Sequence, residues 1–170
     1  AFGLALSGLL MAAVFLHELG HVIAARLTGG SANEIHLTPI GGLAHVQPGR
    51  GTSAQIVTAM AGPFVNLLIC VAAFPGSYAP ETLWGVLNPL ELPIGSLSEN
   101  HLARDLGLIT FAVNWLLLLI NLLPIVPLDG GQVVRALLAT RIHPELVGRA
   151  AVRIGTFFSA IVMIAGLLGD

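Results

Sequence analysis

Residues 1–27 have the sequence AFGLALSGLLMAAVFLHELGHVIAARL, in which Glu18 and Arg26 are the only residues with a full charge at neutral pH. A helix of this length measures about 40 Å at about 1.5 Å per residue, which is long enough to cross a bilayer. The segment therefore predicts a transmembrane helix, and the polar HELGH sequence at residues 17–21 lies inside it.

The composition of the whole chain agrees with a membrane location. Of the 170 residues, 55% are hydrophobic and only 9% are charged, whereas soluble domains average about 25% charged residues. The chain has seven Arg, no Lys and one Cys, with a formal net charge of −2. These values exclude a disordered chain, a basic nucleic-acid-binding protein and a disulfide-rich module. They predict a single-domain, multi-pass integral membrane protein over residues 1–170, with the lipid bilayer as a partner and no nucleic acid.

Three further apolar segments predict membrane spans at about 54–74, 104–125 and 148–168, the first of them interrupted at Gly62-Pro63. Pro124 and Pro127 break the third span of the chain, and a short helix is expected at 130–140. Residues 32–50 contain apolar residues mixed with Thr, Pro and Gly, which favours short extended segments with glycine turns. The predicted fold class is therefore an all-α polytopic membrane protein with about four transmembrane helices.

The distribution of charge predicts the orientation of the chain. The first and last connections contain most of the arginines, whereas the connection after the second span is mainly acidic. By the positive-inside rule, the first and last connections face the cytoplasm. This places HELGH toward the cytoplasmic end of its helix.

The HELGH sequence has the spacing of a zinc metalloprotease site. His17 and His21, four residues apart, lie about 40° apart around a helix, so both imidazoles can reach one metal ion. Glu18 beside them can act as the base that activates water. An acidic group inside a membrane helix is costly, and such groups usually serve a function. The alternative is a purely structural polar contact between helices.

A catalytic zinc site usually needs a third protein ligand, and Asp129 in the sequence NLLPIVPLDGG (residues 121–131) is the best candidate. The prolines before it leave backbone carbonyls that must be buried in protein or line a cavity. The alternative role for Asp129 is to cap the helix that follows; one carboxylate oxygen could cap while the other binds metal.

Together, HELGH, the N-x-x-P-x-x-P-L-D-G pattern and G-x-x-x-N at Gly62–Asn66 resemble the site-2 protease family of intramembrane zinc metalloproteases. The resemblance follows the family core in order, and no PDZ or CBS domain is expected in these residues. It implies a membrane-associated β-hairpin between the first two spans, where an unwound substrate helix would pair. It also implies one Zn²⁺ ligated by His17, His21 and Asp129, with Glu18 as the general base.

The remaining polar residues are weaker candidates. The resemblance favours substrate-binding roles for Asn66 and Asn121, although an amide in a membrane helix commonly bonds a neighbouring helix. His45 is expected to be a surface residue of the hairpin region, with an accessory metal or substrate contact as the alternative.

These observations predict an intramembrane endopeptidase that cleaves a membrane-anchored transmembrane protein in regulated intramembrane proteolysis, with its active site toward the cytoplasmic side of the cell membrane. Two alternatives use the same residues differently. A metal-binding or transport protein would use His17, His21 and Asp129 as a transit site and would not need Glu18. A scaffold would bind transmembrane helices without cutting them.

Overall fold

The computed structural model describes residues 2–38, 41–74, 87–88 and 102–168. Within these ranges the chain is mostly helical, with one small antiparallel sheet between the first two long helices. In chain order the elements are α1 (Phe2–Leu27), β1 (Ser31–Thr38), β2 (Gly41–Gln47), α2 (Thr52–Ala72), α3 (Leu102–Leu122), α4 (Asp129–Leu138) and α5 (Pro144–Leu168).

In the described part of the chain, four helices are long and apolar enough to cross a membrane, and they are α1, α2, α3 and α5. Their outer faces carry large apolar side chains that a soluble protein would bury, such as Phe64, Val71, Phe157 and Met163. An apolar surface of this extent suits a lipid environment. The predicted fold class, a polytopic helical membrane protein with a hairpin after the first span and a broken third span, is confirmed.

The hairpin joins α1 to α2. Its strands pair antiparallel from Ser31 opposite Gln47 to Thr38 opposite Gly41, with an irregularity between Ala32 and Ile35. The connecting residues 39–40 and the side chain of His45 lie outside the described part of the structure.

The predicted interruption of the second span at Gly62-Pro63 is wrong, because α2 runs without a break from Thr52 to Ala72. Proline removes one backbone donor, and contacts with neighbouring helices can stabilise a membrane helix in spite of that loss. Pro63 is fully buried, so the helix is packed on this side.

The third span ends earlier than predicted, at Leu122 instead of residue 125. Proline disfavours a helical conformation in the residue before it, so Leu123 cannot easily continue the helix into Pro124. The chain then makes an irregular turn, which contains a cis peptide bond between Val126 and Pro127, before α4 begins at Asp129.

The last span begins earlier than predicted, at Pro144 instead of residue 148. Proline is favoured in the first turn of a helix, where its missing donor would have no helical partner, and its fixed backbone angle suits the helix. Glu145 follows in the same turn, where a negative charge interacts favourably with the helix dipole.

The helices α1 and α2 approach closely because Gly20 has no side chain. A Cβ atom on Gly20 would lie 2.8 Å from the carbonyl oxygen of Ala61 and 2.9 Å from Cγ2 of Val65. Both neighbours belong to α2, and one of them is backbone that cannot rotate away. The close contact brings the HELGH turn of α1 against α2.

We expect Gly20→Ala to destabilise the protein, because the added methyl group forces α1 and α2 apart. Overpacking of this kind costs about 1–3 kcal/mol. The matched control is Gly107→Ala in α3, where a Cβ meets nothing within 4 Å and alanine favours the helix. Thermal unfolding in detergent checks both variants; equal melting temperatures for the two would contradict the proposed close packing.

Candidate metal centre

The two histidines of HELGH lie on the face of α1 that packs against α2. His17 and His21 are 5% and 8% exposed, and their rings meet edge to face with centroids 4.8 Å apart. This arrangement follows from the four-residue spacing, which stacks the two side chains on one side of the helix. The imidazoles therefore form a buried pair in the interior of the helix bundle.

Each imidazole is held by a hydrogen bond from its Nδ1 atom to α2. His17 donates to Oδ1 of Asn66 at 3.1 Å, and His21 donates to the carbonyl oxygen of Thr58 at 2.7 Å. A proton on Nδ1 leaves the lone pair of a neutral imidazole on Nε2. Both Nε2 atoms are thus available as ligands, and they lie 3.1 Å apart.

Asp129 reaches the same point from the start of α4. Its Oδ2 atom lies 3.1 Å from Nε2 of His17 and 3.4 Å from Nε2 of His21. The residue that caps α4 is Leu128, and it makes no side-chain capping bond. Asp129 is therefore the first helical residue and not the N-cap, so the alternative role of capping the helix is wrong. Its carboxylate instead lies beside the two histidines.

Two glycines allow α4 to begin in this position. A Cβ on Gly131 would lie 2.6 Å from the backbone nitrogen of Val126, and one on Gly130 would lie 2.6 Å from the carbonyl carbon of Leu122. Both contacts are with the backbone of the broken span. The sequence LDGG therefore lets the first turn of α4 pack directly on the break, which brings Asp129 to the histidines.

The three atoms have the geometry and chemistry of a zinc site. Two imidazole nitrogens and one carboxylate oxygen lie 3.1–3.4 Å from one another. Ligands of a tetrahedral zinc ion, at bond lengths of about 2.0–2.2 Å, are separated by about 3.3 Å. Three electron-rich atoms converge in this way only if protons or a cation lie between them. Buried Oδ2 of Asp129 has no conventional hydrogen-bond donor in the described part of the chain, which favours a cation.

A cavity of about 1330 Å³ opens beside this cluster. Its walls come from α1, α2, α4, the last turns of α3, the end of β2 and the start of α5. Glu18 is half-buried and lines the cavity together with His17, His21 and Asp129. A molecule in the cavity can therefore reach both the His17, His21 and Asp129 side chains and the carboxylate of Glu18.

The two asparagines predicted to bind substrate occupy different environments. Asn121 lines the cavity, and its Nδ2 atom donates to the carbonyl oxygen of Leu117 at 3.0 Å. Asn66 has no exposed surface and does not line the cavity; it bonds His17 instead. The structure thus places Asn121 in the wall of the cavity, and it places Asn66 beside Nδ1 of His17, away from the cavity.

The sequence analysis did not identify Thr58 on α2, and it named Gly62 only as part of the G-x-x-x-N motif, without a role at the site. Thr58 bonds His21, and Gly62 lies directly against both imidazoles. Together with Asn66 they recur every four residues, which places them on one face of the helix. The histidines of α1 have the same four-residue spacing. This match between the two helices is the feature of the sequence that indicates which face of α2 meets the histidines.

Comparison with known proteins agrees with this geometry. The sequence model for the peptidase M50B-like family matches residues 5–89, and that for peptidase family M50 matches residues 76–162. The chain belongs to peptidase family M50. The two matches together cover the positions of His17, His21 and Asp129, so the similarity to the family includes the whole candidate centre.

Individual relatives of this M50 chain are assigned as zinc metalloproteases. It is 32% identical to one from Synechocystis sp. over 98% of the chain, and 31% identical to one from Methanocaldococcus jannaschii over 94%. The chain spans only 40% and 42% of the length of these two relatives. The solved structure of the site-2 protease from Methanocaldococcus jannaschii matches with a TM-score of 0.59 and 28% identity, covering 95% of this chain and 66% of that one.

We expect Gly62→Ala to disrupt the centre, because a Cβ there would lie 2.6 Å from Nε2 of His17 and would also contact His21. The imidazoles must move apart, and zinc affinity should fall by at least about tenfold, the lower limit for the loss of a supporting contact. Titration of purified protein with zinc in the presence of a competing chelator measures the change.

The control is Gly8→Ala in α1, where the added methyl group meets nothing within 4 Å. Wild-type zinc affinity is expected for this variant. Unchanged affinity in Gly62→Ala would show that the imidazoles do not need the space beside Gly62.

Proposed function

We propose that this M50 chain is a zinc-dependent endopeptidase that hydrolyses a peptide bond of a transmembrane protein within or near its membrane helix. The convergence of the His17 and His21 Nε2 atoms with Oδ2 of Asp129, within 3.4 Å of one another, carries the proposal. The cluster is built on a helix long and apolar enough to span a membrane, which supports an intramembrane site.

In the proposed enzyme, His17, His21 and Asp129 would hold one zinc ion per chain. A bound zinc ion supplies a Lewis acid, which makes water more acidic and polarises a peptide carbonyl. The protein orients the histidines beforehand: Asn66 and the carbonyl of Thr58 accept hydrogen bonds from the two Nδ1 atoms, which leaves each Nε2 lone pair available to a metal ion. Little reorganisation is then needed when the metal binds.

Glu18 is the proposed general base. It follows His17 directly in the chain and lines the cavity, so it can receive a proton from the attacking water. The same carboxylate delivers that proton to the nitrogen of the scissile bond as the carbon–nitrogen bond breaks, so that the nitrogen leaves as an amine. A metal-transport function would give Glu18 no such role.

The substrate must enter as an unwound segment, because an intact helix keeps its carbonyls in internal hydrogen bonds. The cavity extends from the His17, His21 and Asp129 side chains to the end of β2, where Val46 and Pro48 form part of its wall. We assign this path to the substrate, with pairing along the hairpin and a contact from Asn121. Asn66, away from the cavity, supports His17 in this mechanism.

The proposed setting is regulated intramembrane proteolysis, with membrane-anchored regulatory proteins as the substrate class and the active site toward the cytoplasmic side. The arginines near the first and last connections support this orientation.

We expect the detergent-purified protein to contain about one zinc per chain, and Asp129→Ala to weaken zinc binding by at least about 100-fold, because one of three ligands is lost. Elemental analysis after dialysis against a chelator measures the difference. Glu145→Ala is the matched control, since this exposed residue also lines the cavity and does not belong to the group of His17, His21 and Asp129 that could hold a metal. Equal zinc content in Asp129→Ala and the control would remove Asp129 from the site.

We expect Glu18→Gln to retain zinc and to lose proteolysis, because glutamine has a similar shape but cannot accept the proton. The loss should be at least about 10²-fold, in the range of general-base catalysis. Cleavage of a panel of single-span reporter proteins in proteoliposomes, analysed by mass spectrometry, provides the measurement. A Glu18→Gln protein that cleaves a reporter as fast as the wild type would disprove the role of Glu18.

A further inference from the structure

The helix α4 continues along the wall of the cavity beyond Asp129. Asp129, Gln132 and Arg135 follow one another at intervals of three residues, and all three line the cavity. At about 100° per residue, each interval changes the direction of the side chain by only about 60°, so the three residues form one polar strip along the helix. The remaining side chains of the helix after Gln132 are apolar. The polar side of α4 is therefore turned toward the cavity.

Arg135 brings a positive charge to this wall that no described residue neutralises. Its side chain is exposed, and it forms no ion pair within the described part of the chain. Glu145, at the start of α5, also lines the cavity, but it does not pair with Arg135. An arginine side chain stays protonated and has five N–H donors. These donors are available to a molecule in the cavity.

An arginine in a membrane protein usually pairs with another group or lies beside a water-filled path, and such residues commonly mark the path of a substrate. Arg135 fits the second description, because it lines the same cavity as His17, Glu18 and Asp129. We therefore looked for a substrate group that would supply its missing partner.

The position of Arg135 on α4 sets its distance from the metal centre. It follows Asp129 by six residues on the same helix, which is about 9 Å along the axis at about 1.5 Å per residue. An unwound segment that follows this wall advances about 3.3 Å per residue. Arg135 is then level with a residue about three positions from the cleaved bond, and its long side chain reaches about one position to either side.

We propose that Arg135 is a specificity-determining residue, which binds an aspartate or glutamate of the substrate two to four residues from the cleaved bond. A carboxylate is the partner that suits it best, because two parallel N–H groups of a guanidinium match the two oxygens of a carboxylate. A lysine or arginine at the same position of the substrate is repelled. This inference rests on the proposed function, since it concerns the substrate of that same site.

This preference distinguishes the substrate from most other membrane-spanning proteins. The cytoplasmic ends of transmembrane helices commonly carry Lys and Arg. If the active site lies toward the cytoplasmic side, as proposed above, such a flank brings positive charge close to Arg135. A substrate with an acidic residue near the cleaved bond is attracted instead, so Arg135 selects a minority of the available segments.

The test uses reporter substrates that differ at a single position. A single-span reporter that the wild type cleaves is prepared with Asp, Asn or Lys at each of positions two to four on both sides of the cleaved bond. Asparagine has nearly the shape of aspartate but no charge. Values of kcat/KM in proteoliposomes are measured by mass spectrometry for the wild type, Arg135→Gln, Arg135→Glu and Arg149→Glu. Arg149 is the matched control, because it is an exposed arginine of α5 that does not line the cavity.

On one side of the cleaved bond, we expect the wild type to cleave the Asp reporter about fivefold faster than the Asn reporter, the upper range for an exposed ion pair. The Lys reporter should be the slowest. Arg135→Gln should cleave the Asp and Asn reporters equally, and Arg135→Glu should prefer Lys, because the charges of the pair are exchanged. Arg149→Glu should keep the wild-type order. Zinc content should not change, since Arg135 is not in the group that could hold the metal.

Two results would overturn the role of Arg135 while leaving the proposed protease intact. One is a wild type that cleaves the Asp, Asn and Lys reporters equally at every position. The other is an Arg135→Glu protein that loses the same factor on all reporters, which would indicate a role in folding or in binding an anionic lipid. Melting temperatures identify folded variants; if Arg135→Glu does not fold, an Asp preference that persists in Arg135→Gln overturns the inference. A wild type that cleaves no reporter would contradict the proposed function, and this inference with it.

Discussion

The position of the two histidines in the candidate metal centre depends on two hydrogen bonds. One runs from Nδ1 of His17 to Asn66, and the other runs from Nδ1 of His21 to Thr58. Polar groups inside an apolar helix bundle are costly unless each is paired. By pairing both Nδ1 protons with α2, the fold satisfies the imidazoles on one side and leaves two lone pairs on the other. The close contact of α1 with α2, which Gly20 and Gly62 permit, is the condition for both bonds.

The third ligand comes from a part of the chain where helical structure is interrupted. Pro124 and Pro127 end α3 and separate it from α4, and the glycines of LDGG let the new helix pack on the break. A continuous third span would carry Asp129 about 10 Å beyond the end of α3, at about 1.5 Å per residue. Because the helix is broken, the chain turns back toward α1, and Asp129 lies beside the two histidines.

Much of this architecture was predictable from the sequence. Four apolar segments, the HELGH spacing and the prolines before Asp129 are local patterns, and each reflects a short-range rule of helix geometry. The continuity of α2 through Pro63 was not predictable, because it depends on how neighbouring helices pack. The contact made by Asn66 was also not predictable, since an asparagine in a membrane helix can bond either a substrate or a neighbouring helix. Only the packing of α1 on α2 shows that Asn66 bonds His17.

The central claim is that two imidazoles and one carboxylate bind a zinc ion inside the helix bundle. X-ray absorption at the zinc edge of the purified protein tests this claim directly, because it identifies the atoms bound to the metal. The account predicts a shell of nitrogen and oxygen neighbours at about 2.0–2.2 Å, with the outer scattering of two imidazole rings. A shell that contains sulfur, or one made of oxygen atoms without imidazole scattering, would contradict it.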